Sequence, residues 1–483
     1  MKKAYTLITV LALLLSLSLP AAAQESEGAK IIAGLPHPDL KWSVPEVGKD
    51  VQRVQLDNGM ILYMMEDNRL PLVNVSVLVR CGTAYVPLEQ MAIPDMTTAV
   101  MRTGGTTHVS PDSLNALLES IGGTLETFTG YDNSSATLNV MSKDTELGIR
   151  LLADVLRNPA FPEDKIDLKK TDVKTDIKRR NDNPSGILSR EFYHLIYGDF
   201  PRGRILEWQY AKPITRRELV DYHQRYFAPN NVMIGITGKF DSKMMVEMVK
   251  QYFGDWKKKA VAIPQIPQAP ETPRPGVFIV EKDINQANIR FGHLGVNRDN
   301  PDRYAISVMN YILGGGSFTS RISSKVRSDE GLSYSVATRY QVDEVDQGVF
   351  FAYCFTKSNT THKAMQLMLD EVNRIRQGEV SDEELKSAKD SYINSYVFEF
   401  TTPAQIVSQL MGLEFNQRPP DLLRDYIDNV RKVTKKDVLR VAQKYLRPES
   451  LTFVVVGNPK NFDLPLDDFG KVTSIELKEP VLD

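Results

Sequence analysis

The chain has 483 residues, and its 59 basic side chains against 61 acidic ones leave a formal net charge of −2, so electrostatics gives no case for nucleic acid or an anionic membrane as partner. It is too long for a single core, and beyond one early apolar run no stretch approaches the roughly 20 apolar residues that a membrane-crossing helix needs. The two cysteines, Cys81 and Cys354, fall in opposite halves within strand-like runs; the sequence leaves open whether they pair, with buried free thiols the simpler expectation.

Lys2 and Lys3 precede an apolar run from Leu7 to Leu19 and then Ala21, Ala22 and Ala23. This is the pattern of a signal peptide over residues 1–23, cut after Ala23, and it implies a periplasmic protein. No cysteine near the cut suggests a lipid anchor. Residues 24–48 read as an irregular arm.

A first domain over 49–260 opens with a hairpin in which Val54–Leu56 and Met60–Met64 flank Asp57-Asn58-Gly59, a turn suited to positive φ. A strand over Val75–Arg80 and a helix over Ala92–Met101 follow. The next helix declares both ends: Ser110 caps it, Pro111 suits its first turn, Leu114, Leu117, Leu118 and Ile121 share a face, and Gly122-Gly123 stop it. A strand over Thr137–Met141 precedes helices over Thr145–Leu156, Pro162–Arg180 and Thr215–Tyr226, the last with a Thr215/Glu218 capping box. Basic residues between Lys169 and Arg180 are interleaved with Asp172 and Asp176, as on a solvated helix face.

Prolines between Ile263 and Pro275 make a semi-rigid seam, a linker over 261–275. A second domain over 276–470 repeats the plan, with strands at Gly276–Val280, Ala287–Gly292 and Val349–Phe355 and helices at Tyr304–Leu313 and Lys363–Arg376; residues 471–483 read as a tail. The repetition is literal, because residues 161–238 lie on 380–457 at a constant shift of 219. Ile214-Thr215-Arg216-Arg217-Glu218-Leu219 matches Val433-Thr434-Lys435-Lys436-Asp437-Val438, Tyr226 matches Tyr445, Pro229 matches Pro448, and apolar runs lead into Gly238 and Gly457. A fixed offset that preserves cap, helix, Pro break and strand marks an ancestral duplication. Strands alternating with amphipathic helices give an α+β class, two homologous domains each with a mainly antiparallel sheet and helices on one face.

The segment from Leu313 to Arg321 (Leu-Gly-Gly-Gly-Ser-Phe-Thr-Ser-Arg), followed by Ser324 to Ser335, resembles the second domain of the insulinase and pitrilysin family, the inverzincin peptidases. The likeness extends through the Asn-Gly hairpin, the Gly-Gly after the capped helix and the Pro-rich seam, and it implies a clam-like pair of domains. It further implies that Arg327 and Tyr334 are substrate-binding groups completing an active site: a guanidinium grips a peptide carbonyl and a phenol donates to a developing oxyanion.

Active members carry His-x-x-Glu-His on a first-domain helix, two imidazoles holding zinc and the glutamate activating water. The resemblance places Pro94, Thr97 and Thr98 at those positions and Asp176 at the distal glutamate, a degenerate set without two imidazoles or a water-activating base. His37, His108, His194, His223, His293 and His362 are scattered and read as surface or hydrogen-bonded histidines, and no Gly-x-Ser-x-Gly elbow supports covalent hydrolysis. Residues 125–130 correspond to the peptide-holding edge strand, with Glu126 where relatives commonly have Asn.

The expectation is a chain without catalytic residues or cofactor of its own. It would be a subunit of a heteromeric zinc metallopeptidase, inactive alone, whose homologous partner bears the intact zinc motif and which degrades unstructured peptides. The alternative is an inactive peptide-binding or structural homodimer of the same fold.

Overall fold

The computed structural model describes residues 42–267, 269 and 274–483, together with Gly28 and Ile31. The leader, most of the 24–48 arm, His37 and part of the seam lie outside the described residues.

The chain builds two six-stranded mixed sheets. The first comprises β1 (Gln52–Gln55), β2 (Ile61–Glu66), β3 (Leu72–Val79), β4 (Thr124–Thr129), β5 (Ser134–Met141) and β6 (Val232–Gly238), in the order β1-β2-β6-β3-β5-β4. Only the β2–β6 pairing is parallel. The opening hairpin closes as its Asn-Gly turn requires, with the Leu56 amide donating to the Met60 carbonyl and the Met60 amide to Asn58 Oδ1.

The second sheet comprises β7 (Gly276–Glu281), β8 (Gln286–Leu294), β9 (Ser335–Tyr340), β10 (Val349–Lys357), β11 (Thr452–Gly457) and β12 (Val472–Ile475), in the order β12-β7-β11-β8-β10-β9. Here the tail reading is corrected: residues 472–475 form β12, which pairs in parallel with β7 at the outer position that β1 takes in the first sheet. The four residues are too short, and too exposed on both faces, to announce a strand.

The longer helices are α1 (Ile93–Thr103), α2 (Pro111–Ser120), α3 (Thr145–Arg157), α4 (Glu163–Arg179), α5 (Pro184–Tyr197), α6 (Arg216–Tyr226), α7 (Ser242–Phe253), α8 (Arg303–Asn310), α9 (Thr361–Arg374), α10 (Asp382–Tyr396), α11 (Pro403–Phe415) and α12 (Lys435–Tyr445). Alternate residues of β3 (Val73, Val75, Val77, Val79) and β5 (Ala136, Leu138, Val140) meet the helices of the first layer in one core. Phe291, Phe350, Ala352, Cys354 and Phe453 do the same in the second. Cys81 and Cys354 are buried free thiols in these separate cores, and burial raises their pKa values to about 11 and about 12.

The other face of each sheet receives one helix from the opposite half. α5, from the first segment, lays Ile187, Leu188, Phe192 and Ile196 against Val349, Phe351, Val454 and Val456 of the second sheet. α11, from the second segment, lies on β6 and β2. A Cβ on Gly235 would sit 2.7 Å from Val407 Cγ1, so glycine is what allows α11 to approach β6 this closely. The two helices are duplicates: the shift of 219 takes Pro184 to Pro403, and their N-caps are Asn183 and Thr402.

Candidate functional site

α1 carries Pro94, Thr97 and Thr98, the positions that the resemblance assigns to the zinc motif. It forms because Ile93, Met96, Val100 and Met101 bury one face, with Pro94 in its first turn where no intrahelical N–H is required. Thr97 is fully buried and its hydroxyl donates to the Ile93 carbonyl at 2.7 Å. Thr98 and Thr129 share a hydroxyl hydrogen bond of 2.8 Å, and Thr129 Oγ1 donates to the Pro94 carbonyl at 2.9 Å. Thr127 Oγ1 donates to the Thr98 carbonyl at 2.7 Å, and Arg102 Nε reaches the Leu125 carbonyl. A lattice of hydroxyl bonds thus pins the edge strand β4 to α1.

These residues do not fit zinc. Proline offers no donor atom, the threonine hydroxyls are neutral and already committed, and neutral hydroxyls are poor ligands for this ion. Asp176 lies on the exposed side of α4. What joins α4 to α1 is a different pair, Lys169 Nζ with Asp95 Oδ2 at 2.8 Å. Among the described residues, no group of three or more His, Cys, Asp or Glu side chains is placed to hold a metal ion.

The described histidines have other work. His223 is buried and its Nε2 donates to the Leu156 carbonyl; His293 donates from Nδ1 to the Leu294 carbonyl and accepts the Arg447 amide at Nε2. Burial lowers both pKa values to about 4, which keeps the rings neutral. His108 and His362 face Asp154 and Asp468, and His194 donates to the Gly203 carbonyl.

Arg327 and Tyr334 are brought together. The helical reading of Tyr304–Leu313 is corrected: regular α8 ends at Asn310, and Tyr311–Gly315 continues as a π turn, as does Ser324–Asp329 around Arg327. The glycine run makes this path possible, because a Cβ on Gly314 would stand 2.6 Å from Thr338 Oγ1 and one on Gly316 2.6 Å from the Tyr311 ring. Arg327 lies 4.2 Å over the Phe318 ring and 5.7 Å from that of Tyr334, and its Nη1 donates to the Tyr334 carbonyl at 3.2 Å.

Tyr334 is 88% exposed, yet its backbone is fixed from both sides. Ser333 Oγ donates to the Phe355 carbonyl at 2.8 Å and accepts the Ser335 amide. The result is a half-buried guanidinium beside an exposed phenol, with no ion pair to Arg327 among the described residues. Phe318, 60% exposed, is the member of this group that the spacing of Arg327 and Tyr334 does not reveal; its place beside the glycine run was the available signal. The threonine lattice and the Arg/Tyr group share no hydrogen bond, ion pair or ring contact among the described residues.

Two sheets of equal topology and a helix exchanged between them define a duplicated α+β fold. The description "Insulinase (Peptidase family M16)" matches residues 64–207, and "Peptidase M16 inactive domain" matches residues 213–392. The chain belongs to the M16 insulinase family. An uncharacterized zinc protease of Mycobacterium tuberculosis strain H37Rv is 25% identical over 68% of this chain and 76% of its own length. One of Rickettsia felis is 21% identical over 84% of this chain and 97% of its own. Among solved structures, the peptidase M16 inactive domain from Pseudomonas fluorescens aligns with a TM-score of 0.75 at 24% identity, covering 84% of this chain and 98% of that one. The periplasmic protease PqqL from Escherichia coli aligns with a TM-score of 0.72 at 14% identity, covering 86% of this chain and 46% of that one. No helix among the described residues is long and apolar enough to cross a membrane.

Proposed function

We propose that this chain is the non-catalytic subunit of an exported, heteromeric zinc peptidase that degrades unstructured peptides. The observation that carries this reading is the division within the chain: at the positions the resemblance assigns to zinc ligands stand a proline and two threonine hydroxyls already hydrogen-bonded, while Arg327 is half-buried beside the exposed Tyr334. Zinc would reside in a homologous partner with an intact His-x-x-Glu-His helix. From this chain, Arg327 would hold a substrate carbonyl and the Tyr334 phenol would donate to the oxygen that gains charge as the amide carbon is attacked.

The test is reconstitution: purify this chain alone and together with a homologue bearing the motif, then measure bound zinc and cleavage of an unfolded peptide. Cleavage is expected only in the mixture, with zinc confined to the homologue. Arg327→Ala should lower kcat/KM of the mixture by roughly 100-fold, in the range seen when one transition-state donor is removed, without altering zinc content. A mixture that cleaves nothing, or an Arg327→Ala mixture of undiminished activity, overturns the assignment.

A further inference from the structure

The two sheets carry topologically equivalent faces, opposite their helix layers, whose chemistry differs. Beyond the strip covered by α11, the first sheet shows the uncharged Asn74 and Ser76 on β3 and Ser135, Thr137 and Asn139 on β5, with Glu126 and Phe128 of β4 beside them. On the second sheet the matching row of β10 is Phe351, Tyr353, Phe355 and Lys357. Successive rings in this row lie 6.2 and 5.9 Å apart. Phe351 is buried beneath Phe192 of α5, but Tyr353 and Phe355 run past that cover and stay half-buried.

Two arginines flank the row. β8 sets Arg290 opposite Tyr353 and β9 sets Arg339 opposite Phe351. The Arg290 guanidinium stacks 4.6 Å over Phe351, its Nη1 donates to Ser189 Oγ at 3.1 Å, and its buried Nε has no hydrogen-bond partner. Arg339 is exposed, and neither arginine makes an ion pair among the described residues. Burial and the like charge of Arg339 both push the pKa of Arg290 below the usual arginine range, the mark of cations without a compensating carboxylate. Asp343, which faces the same Tyr193, is taken by Arg202 at 2.8 Å. The equivalent β3 and β5 rows of the first sheet carry neither arginine nor aromatic ring, although Phe128 of β4 stands opposite Ser135 on that face.

We propose that this face of the second sheet binds an extended acidic peptide segment. Side-chain carboxylates fit the forks of Arg290 and Arg339, and apolar parts of the peptide stack on Tyr353 and Phe355. Ser335 pairs with Phe355, so the row ends one residue along the chain from Tyr334. The inference rests on the peptide-handling reading above and adds a substrate class to it: unstructured peptides rich in Asp and Glu.

The experiment uses this chain alone, without partner or zinc. Fluorescence anisotropy would compare labelled unstructured peptides of equal length, one Glu-rich with aromatic residues and one Lys-rich, and an oligonucleotide of matching negative charge. The acidic peptide should bind at least roughly tenfold tighter than the basic one. Arg339→Glu should abolish that preference, and Tyr353→Ala should weaken binding of the acidic peptide. Both sites are at least partly exposed, which spares the buried core, and circular dichroism verifies that each variant is folded. Equal affinity for acidic and basic peptides, an unchanged preference in Arg339→Glu, or oligonucleotide binding as tight as the acidic peptide would each overturn the inference. A mixture with the homologue that fails to cleave removes the subunit assignment and leaves this binding result standing.

Discussion

Glu384 ties the segment that carries Arg327 to the body of the second half. Its carboxylate takes Arg321 in a two-point pair at 2.6 and 3.0 Å and accepts the Ser381 amide at 2.8 Å, closing the capping box of α10. Burial pushes this carboxyl upward, but Arg321 and Ser381 together bring it from the ordinary 4.5 down to about 2. A depressed carboxylate pKa means that the unfolded chain binds the proton more readily. The contribution to stability is therefore complete above the unfolded value and is lost as pH falls through the folded one. Solvent screening at this partly exposed pair reduces it to about 1 kcal/mol. We expect Glu384→Gln to lower the melting temperature near pH 7 and to narrow its gap from wild type as pH falls from 4.5 toward 2; a gap constant across that range would refute the coupling.

α5 and α11 carry the duplication into packing. Each is capped and started by the same device, a side-chain acceptor followed by proline, and each crosses to the other half's sheet. Phe192 is fully buried and meets Phe351 edge-on at 6.0 Å, so Phe192→Ala removes a ring from a core made mostly of second-half residues. The expected cost is about 3–5 kcal/mol. Hydrogen exchange should accelerate in β8 and β11 although the substitution lies far upstream in the first segment; loss confined to the first sheet would contradict the exchange of helices. This feature also shows what sequence could convey. The shift of 219, the capped helices, the hairpin and the strand runs were readable because caps, turns and apolar periodicity are local. Which sheet receives the apolar face of α5 is a tertiary choice that periodicity does not encode. At the site, that Pro94, Thr97 and Thr98 make a poor zinc set follows from residue chemistry, while their assignment to the motif comes from the family resemblance. The bonding of Thr98 to Thr129, and of Arg327 over Phe318, was not legible, since each joins segments that only the fold brings together.

Taken as one body, the two halves are joined by the exchanged helices and by a charged clasp. Arg202 bonds Asp346 through Nε at 2.8 Å and Asp343 through Nη2 at 2.8 Å, and stacks 4.0 Å over Tyr131, whose hydroxyl donates to Asp346. Tyr131 sits at the turn between β4 and β5, and both aspartates lie between β9 and β10, so the clasp links the edge hairpins of the two sheets. On the opposite side Glu414 of α11 takes Arg53 at 2.6 and 2.7 Å and accepts the Tyr63 hydroxyl. Hinging the halves apart would expose the α5 core and strand these charges, so the two halves hold together as one body. Asp346 is almost fully buried, and burial already raises the pKa of Asp343 even with Arg202 beside it. Arg202→Met would leave two carboxylates facing each other with no cation, at a cost of about 3–5 kcal/mol near neutral pH. With the Asp343 pKa then raised further, the folded state binds protons more readily than the unfolded one, and stability must rise as pH falls. Urea titrations of Arg202→Met should accordingly recover part of the lost stability between pH 7 and pH 5, where wild type recovers far less. A deficit that stays constant with pH would mean that the clasp acts through packing on Tyr131 and not through its charge.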